Sequence, residues 1–88
     1  MKKMGKLKDD LHIAMNKVWR GSHGDGSTFS LTHSKKEVVS NVKSLAEMGY
    51  VGEDYFEIPG RDPGINGKIT DKGREYCREY FGDPPVEL

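Results

Sequence analysis

An α+β domain of three helices and one small antiparallel hairpin is the fold this chain predicts, on three observations. Apolar residues recur at three- and four-residue steps in two separate stretches, 5–20 and 34–48. Two short runs of strand-forming residues then flank a Pro/Gly-rich turn between residues 54 and 69. Finally, Thr70 opens a third helical stretch that reaches residue 81. The predicted order is helix, short strand, helix, strand, strand, helix.

In the first stretch Leu7, Leu11, Ala14, Met15 and Val18 share one stripe, bordered by Trp19. Ile13 falls off that stripe and is free to touch another element, and Gly21 suits the helix end. Gly21, Gly24 and Gly26 then disfavour any helix. The alternation of Phe29 and Leu31 predicts a short strand or an extended segment pinned into the core. Ser34 followed by Glu37 reads as a capping box for a helix over 34–48. Its buried stripe is Val38, Val42 and Leu45, supported by Ala46 and Met48. Gly49 is placed to end this helix in the left-handed conformation, returning Tyr50 and Val51 to the core.

Strands are expected over 54–58 and 65–69, joined by the turn 59–64. In the helix that follows, over 71–81, Cys77, Tyr80 and Phe81 face inward beside Gly73 or Tyr76. Residues 82–88 carry no helix or strand pattern and read as a loose tail, leaving 1–81 as a single domain.

A chain of 88 residues has room for one domain, with only about 60–65% of its unfolded surface buried. Eight aromatic residues compensate for a polar mean hydropathy of −0.75. A single cysteine, Cys77, excludes an intramolecular disulfide and a cysteine-cluster zinc site. No apolar run approaches the roughly 20 residues of a membrane span. The basic start Met1-Lys2-Lys3 is followed by no apolar signal stretch, so the expected location is the cytoplasm.

The formal charge is zero but unevenly spread. Residues 1–44 hold nine Lys/Arg against four acids, and residues 45–88 hold five against ten. Such asymmetry can make one face basic, or draw the two halves together. A neutral total is a poor match to tight nucleic-acid binding, in which phosphate neutralisation supplies much of the affinity.

Two segments resemble the winged-helix superfamily. Val42-Lys43-Ser44-Leu45-Ala46-Glu47-Met48-Gly49-Tyr50-Val51 resembles the end of a recognition helix. Ile69-Thr70-Asp71-Lys72-Gly73-Arg74-Glu75-Tyr76 resembles the entry to the helix that follows the wing. In length and order the chain is most similar to the small YjcQ-like proteins of Firmicutes and their phages, over about residues 7–81. The resemblance implies a winged helix-turn-helix fold, and the YjcQ-like group brings no assigned biochemical role. The chain departs from the pattern in two places. The glycine-rich 21–27 stretch stands where a short helix is usual, and the wing carries only Arg61, beside Asp62.

On a helical wheel, the arc opposite Val38, Val42 and Leu45 displays Lys36, Ser40, Lys43, Ser44 and Glu47, with Lys35 to one side. The lysines suit phosphates, and the serines are short enough to approach base edges. Arg61 at the wing tip is the candidate minor-groove or phosphate contact. Lys2, Lys3, Lys6 and Lys8 extend the basic surface. Any soluble domain carries a solvated helix face, however, and this one lacks arginine, the commonest reader of guanine.

Other chemistries find little footing. His12, His23 and His33 have no metal-site spacing. The serines near His23 and His33 imply no nucleophile–base geometry. The loop 21–28 lacks the Gly-Lys-Ser/Thr ending of a phosphate loop, and Cys77 lies on an apolar face. No enzyme activity, cofactor or metal is expected.

The expected function is DNA binding, as a small transcriptional regulator. A single unit reads few base pairs, so a homodimer or host protein partner is implied, through the last helix with its Tyr76, Tyr80 and Phe81 or the first helix around Ile13 and Trp19. The alternative is a protein-interaction adaptor of a phage or mobile element. Glu53, Asp54, Glu57 and Asp62 around the wing favour it, because a basic protein suits them better than phosphate. A positive surface continuous over helix and wing favours DNA; a positive helix beside a negative wing favours the adaptor.

Overall fold

The computed structural model describes residues 5–84. Lys2, Lys3 and the tail beyond residue 84 lie outside the described residues. Three helices and a four-stranded antiparallel sheet make a small α+β domain.

Helix α1 spans Asp9–Arg20, four residues shorter than expected at its start. Leu7 precedes it in irregular backbone yet is buried, with its amide donating to the Tyr76 hydroxyl at 3.0 Å. Ala14, Met15, Val18 and Trp19 fill the core. Ile13 is 56% exposed and lines a shallow groove between α1 and the helix that follows, beside Glu37 and Asn41. Gly21 ends α1 without left-handed backbone (φ −91°). It lacks a Cβ for a different reason: that atom would stand 2.7 Å from the Ser30 carbonyl.

The glycine-rich stretch is a hairpin. Strand β1 (Ser22–His23) turns through left-handed Gly24 and Gly26 into β2 (Thr28–Leu31). The Asp25 carboxylate accepts from the Ser27 amide at 3.1 Å, and Arg74 lies 3.8 Å from Asp25. A side chain at Gly26 would be strained by its φ of +82° and would also strike the Trp19 ring, 2.6 Å from Cη2.

Helix α2 spans Lys36–Glu47, and the expected capping box is absent. The N-cap is Lys35, with no side-chain cap. Ser34 is buried instead, its amide donating to the Pro63 carbonyl at 2.9 Å. That bond holds Ser34 in the loop, so the helix begins two residues later. Val38, Val42, Leu45 and Ala46 are buried as expected, whereas Met48 is exposed. Gly49 is left-handed at φ +85°.

Strands β3 (Phe56–Ile58) and β4 (Gly64–Lys68) form the second hairpin. The sheet order is β1-β2-β4-β3, with Phe29 opposite Gly67 and Leu31 opposite Ile65. The two hairpins thus join into one sheet, larger than the single hairpin expected.

Helix α3 spans Asp71–Phe81. Thr70 caps it, accepting from the Gly73 amide at 3.1 Å while its own hydroxyl donates to the Gly49 carbonyl at 2.6 Å. Gly73, Tyr76 and Cys77 are buried, and burial pushes the Cys77 thiol up to about 12. Tyr80 and Phe81 are half-buried and close around His12, with ring centroids 5.4 and 4.9 Å away. The Gly82 carbonyl accepts from Trp19 Nε1 at 3.1 Å, so the segment expected as a loose tail is held at its start.

The His12 contact makes stability pH-dependent. The Tyr76 hydroxyl accepts from the Leu7 amide and shares a hydrogen bond with His12 Nδ1, 2.6 Å away. Desolvation, then the Lys6 charge, lowers the His12 pKa below its ordinary value, against a smaller opposing pull from Asp9. The unfolded chain therefore takes up this proton first as pH falls. Stability from His12 is full above about pH 6.5 and declines as pH drops below it. Denaturant midpoints at pH 7.5 and 5.5 check this: the wild-type midpoint is expected to fall, and His12→Gln to fall less.

Candidate nucleic-acid interface

The candidate surface is built on α2, which is fixed at both ends. At its start the Ser34–Pro63 backbone bond clamps it to the loop between β3 and β4. At its end Thr70 binds the Gly49 carbonyl, and Lys72 Nζ donates to the Met48 carbonyl at 3.1 Å while lying over the Tyr50 ring. The ammonium at this end also suits the negative pole of the helix. With its inner stripe sealed in the core, α2 can present only the opposite face.

Lys36, Ser40 and Lys43 are exposed on that face, one turn apart. Lys35 is exposed at the cap. Ser44 is half-buried, and its hydroxyl donates back to the Ser40 carbonyl at 3.3 Å, which turns it onto its own helix. Glu47 closes the face with a negative charge. Asn41 turns aside into a shallow groove against α1, lined also by Asp10, Ile13, Lys17 and Glu37.

The clamp brings the loop that bears Arg61 to the segment that leads into Lys35 and Lys36. Arg61 is exposed there, but Asp62 adjoins it and Glu57 lies on the neighbouring strand. Asp54 is 3.7 Å from Lys68. Of the six candidates, then, Lys35, Lys36, Ser40 and Lys43 form one surface. Ser44 is engaged within its helix, and Arg61 stands among acids.

Sequence reasoning missed Lys17. It lies on α1 but lines a groove with His33, Ser34, Lys35 and Val38, extending the basic surface across the helix pair. Only the packing of α1 on α2 reveals this, since the two lysines are far apart in sequence. Trp19 and Tyr76, expected near a partner contact, are buried and unavailable for one. Among the described residues, no helix is long and apolar enough to cross a membrane.

No family model, curated protein or solved structure matches this chain.

Proposed function

We propose that the chain is a winged-helix unit that binds double-stranded DNA through α2, as a small regulator. The order of elements supports it: β2 pairs with β4, the inner strand of the second hairpin, and α2 lies between β2 and that hairpin in sequence. In this reading α2 is the recognition helix, and the β1–β2 hairpin occupies the place of the short helix before it. The likeness to YjcQ-like proteins belongs to the same reading. The observation that carries the DNA contact is the single exposed face of Lys36, Ser40 and Lys43, flanked by Lys35 and Lys17.

Arg61 contributes little in this reading, because the acids around it repel phosphate, and this positive helix beside a negative wing is the observation that favours a protein-interaction adaptor as the second reading. Binding is therefore weak and salt-sensitive for one copy, and specificity requires a second copy or a partner.

Fluorescence anisotropy with a labelled mixed-sequence duplex tests it. Each phosphate contact adds about 0.9 to the slope of log affinity against log salt, so Lys36→Ala/Lys43→Ala is expected to lower the slope by about 1.8. Arg61→Ala is expected to leave it near wild type. No binding at low salt, or a slope set by Arg61 instead, overturns the proposal.

A further inference from the structure

We propose that the outer edge of β3 docks an extended basic peptide segment of another protein, added to the sheet as a fifth strand. This goes beyond the DNA reading and rests on different residues.

Strand β3 ends the sheet, so among the described residues no strand lies on one side of its backbone. An open edge of this kind is a template for another chain. Its side chains are unusual for a solvated edge. Among the described residues four large hydrophobics are exposed, and two of them, Phe56 (57%) and Ile58 (49%), sit on this three-residue strand. They are two residues apart and so share one sheet face, with Glu57 on the other. Beside Ile58 is a shallow hollow lined by Thr32, His33, Pro59, Asp62 and Gly64. That hollow lies inboard of β3, so the edge itself offers backbone groups and an apolar pair.

Charge selects the occupant. Glu53, Glu57 and Asp62 are exposed around this edge, while Asp54 is paired with Lys68 and Arg61 is the one cation of the loop. A second copy pairing antiparallel about the strand centre would set Glu57 against Glu57, a destabilising like-charge pair. The same carboxylate attracts a Lys or Arg on an incoming strand. The fitting segment alternates, with apolar residues meeting Phe56 and Ile58 and a basic residue opposite Glu57.

The test titrates the nitrogen-15-labelled full chain with a hexapeptide alternating Val and Lys, followed by amide NMR. Shifts are expected at residues 55–58 and 62–64 and not along Lys36–Lys43. Glu57→Lys, an exposed change that leaves the core intact, is expected to weaken this peptide about tenfold and to favour one alternating Val and Glu. Phe56→Ser is expected to weaken both. Three results overturn the proposal. One is equal binding of a Pro/Lys peptide that cannot add as a strand. Another is wild-type self-association in sedimentation, through contacts at β3. The third is a DNA duplex perturbing the β3 amides. Loss of DNA binding through α2 leaves the proposal standing.

Discussion

Trp19→Ala is expected to lower the melting temperature by about 12 °C or more, seen as an early loss of far-ultraviolet circular dichroism. Trp19 is only 2% exposed, at the meeting of α1, the β1–β2 turn and the segment after α3. Removing a buried ring of this size costs about 3–5 kcal/mol, from lost transfer energy and a cavity that the rigid surroundings cannot close. A domain of this length holds about 4–13 kcal/mol in total, so the variant is marginal at best. Trp19→Phe keeps most of the ring but not the bond to the Gly82 carbonyl, and a smaller loss is expected. A Trp19→Ala protein melting within a few degrees of wild type would mean that this corner is not structural.

The second large effect is expected at Gly73. It lies in the first turn of α3, where that helix passes against the backbone of Tyr50. An added methyl would run into the Tyr50 carbonyl oxygen and stand 2.9 Å from Ile69 Cγ2. Alanine favours helix over glycine by about 1 kcal/mol, so an unobstructed site would gain stability. Here the obstruction is backbone on one side and a buried side chain on the other. Overpacking costs about 1–3 kcal/mol and occasionally more, and a backbone collision falls at the upper end. Gly73→Ala is therefore expected to be destabilised despite its better propensity. Gly60→Ala, with nothing within 4 Å of the added atom, is expected to stay within about 0.5 kcal/mol of wild type. Parallel urea melts decide the matter, and a stabilised Gly73→Ala would show that α3 can slide away from Tyr50.

The elements read most accurately from sequence were those whose information is local. Val38, Val42 and Leu45 repeat with helical spacing, and Thr70 carries its own cap, so α2 and α3 were legible within one or two residues. Ser34 had an equally good local signal and failed, because the distant Pro63 carbonyl claimed its amide. Strand β1 has two residues, too few for any alternation to register. The aromatic setting of His12 had no signal in the sequence, because Tyr76, Tyr80 and Phe81 reach it only when α3 packs on α1. The lysines of α2 were visible on a wheel, but Lys17 beside them required the helix pair. Phe56 and Ile58 read simply as strand formers, since composition does not reveal that β3 lies at an edge.

Helix α1 packs first on α2 and the sheet, but its hydrogen bonds to the rest of the domain come from the far end of the described residues. Leu7 and His12 meet Tyr76, and Trp19 meets Gly82, 63 residues onward. During synthesis at about 5–20 residues per second, α1 then waits roughly 3–13 s for those partners. During that interval its apolar stripe gains α2 and then the sheet, while Trp19 still lacks its hydrogen-bond partner Gly82. The nascent chain is therefore most vulnerable to proteases and to sticking just before its last helix appears, and closure of the core is a late event rather than a founding one.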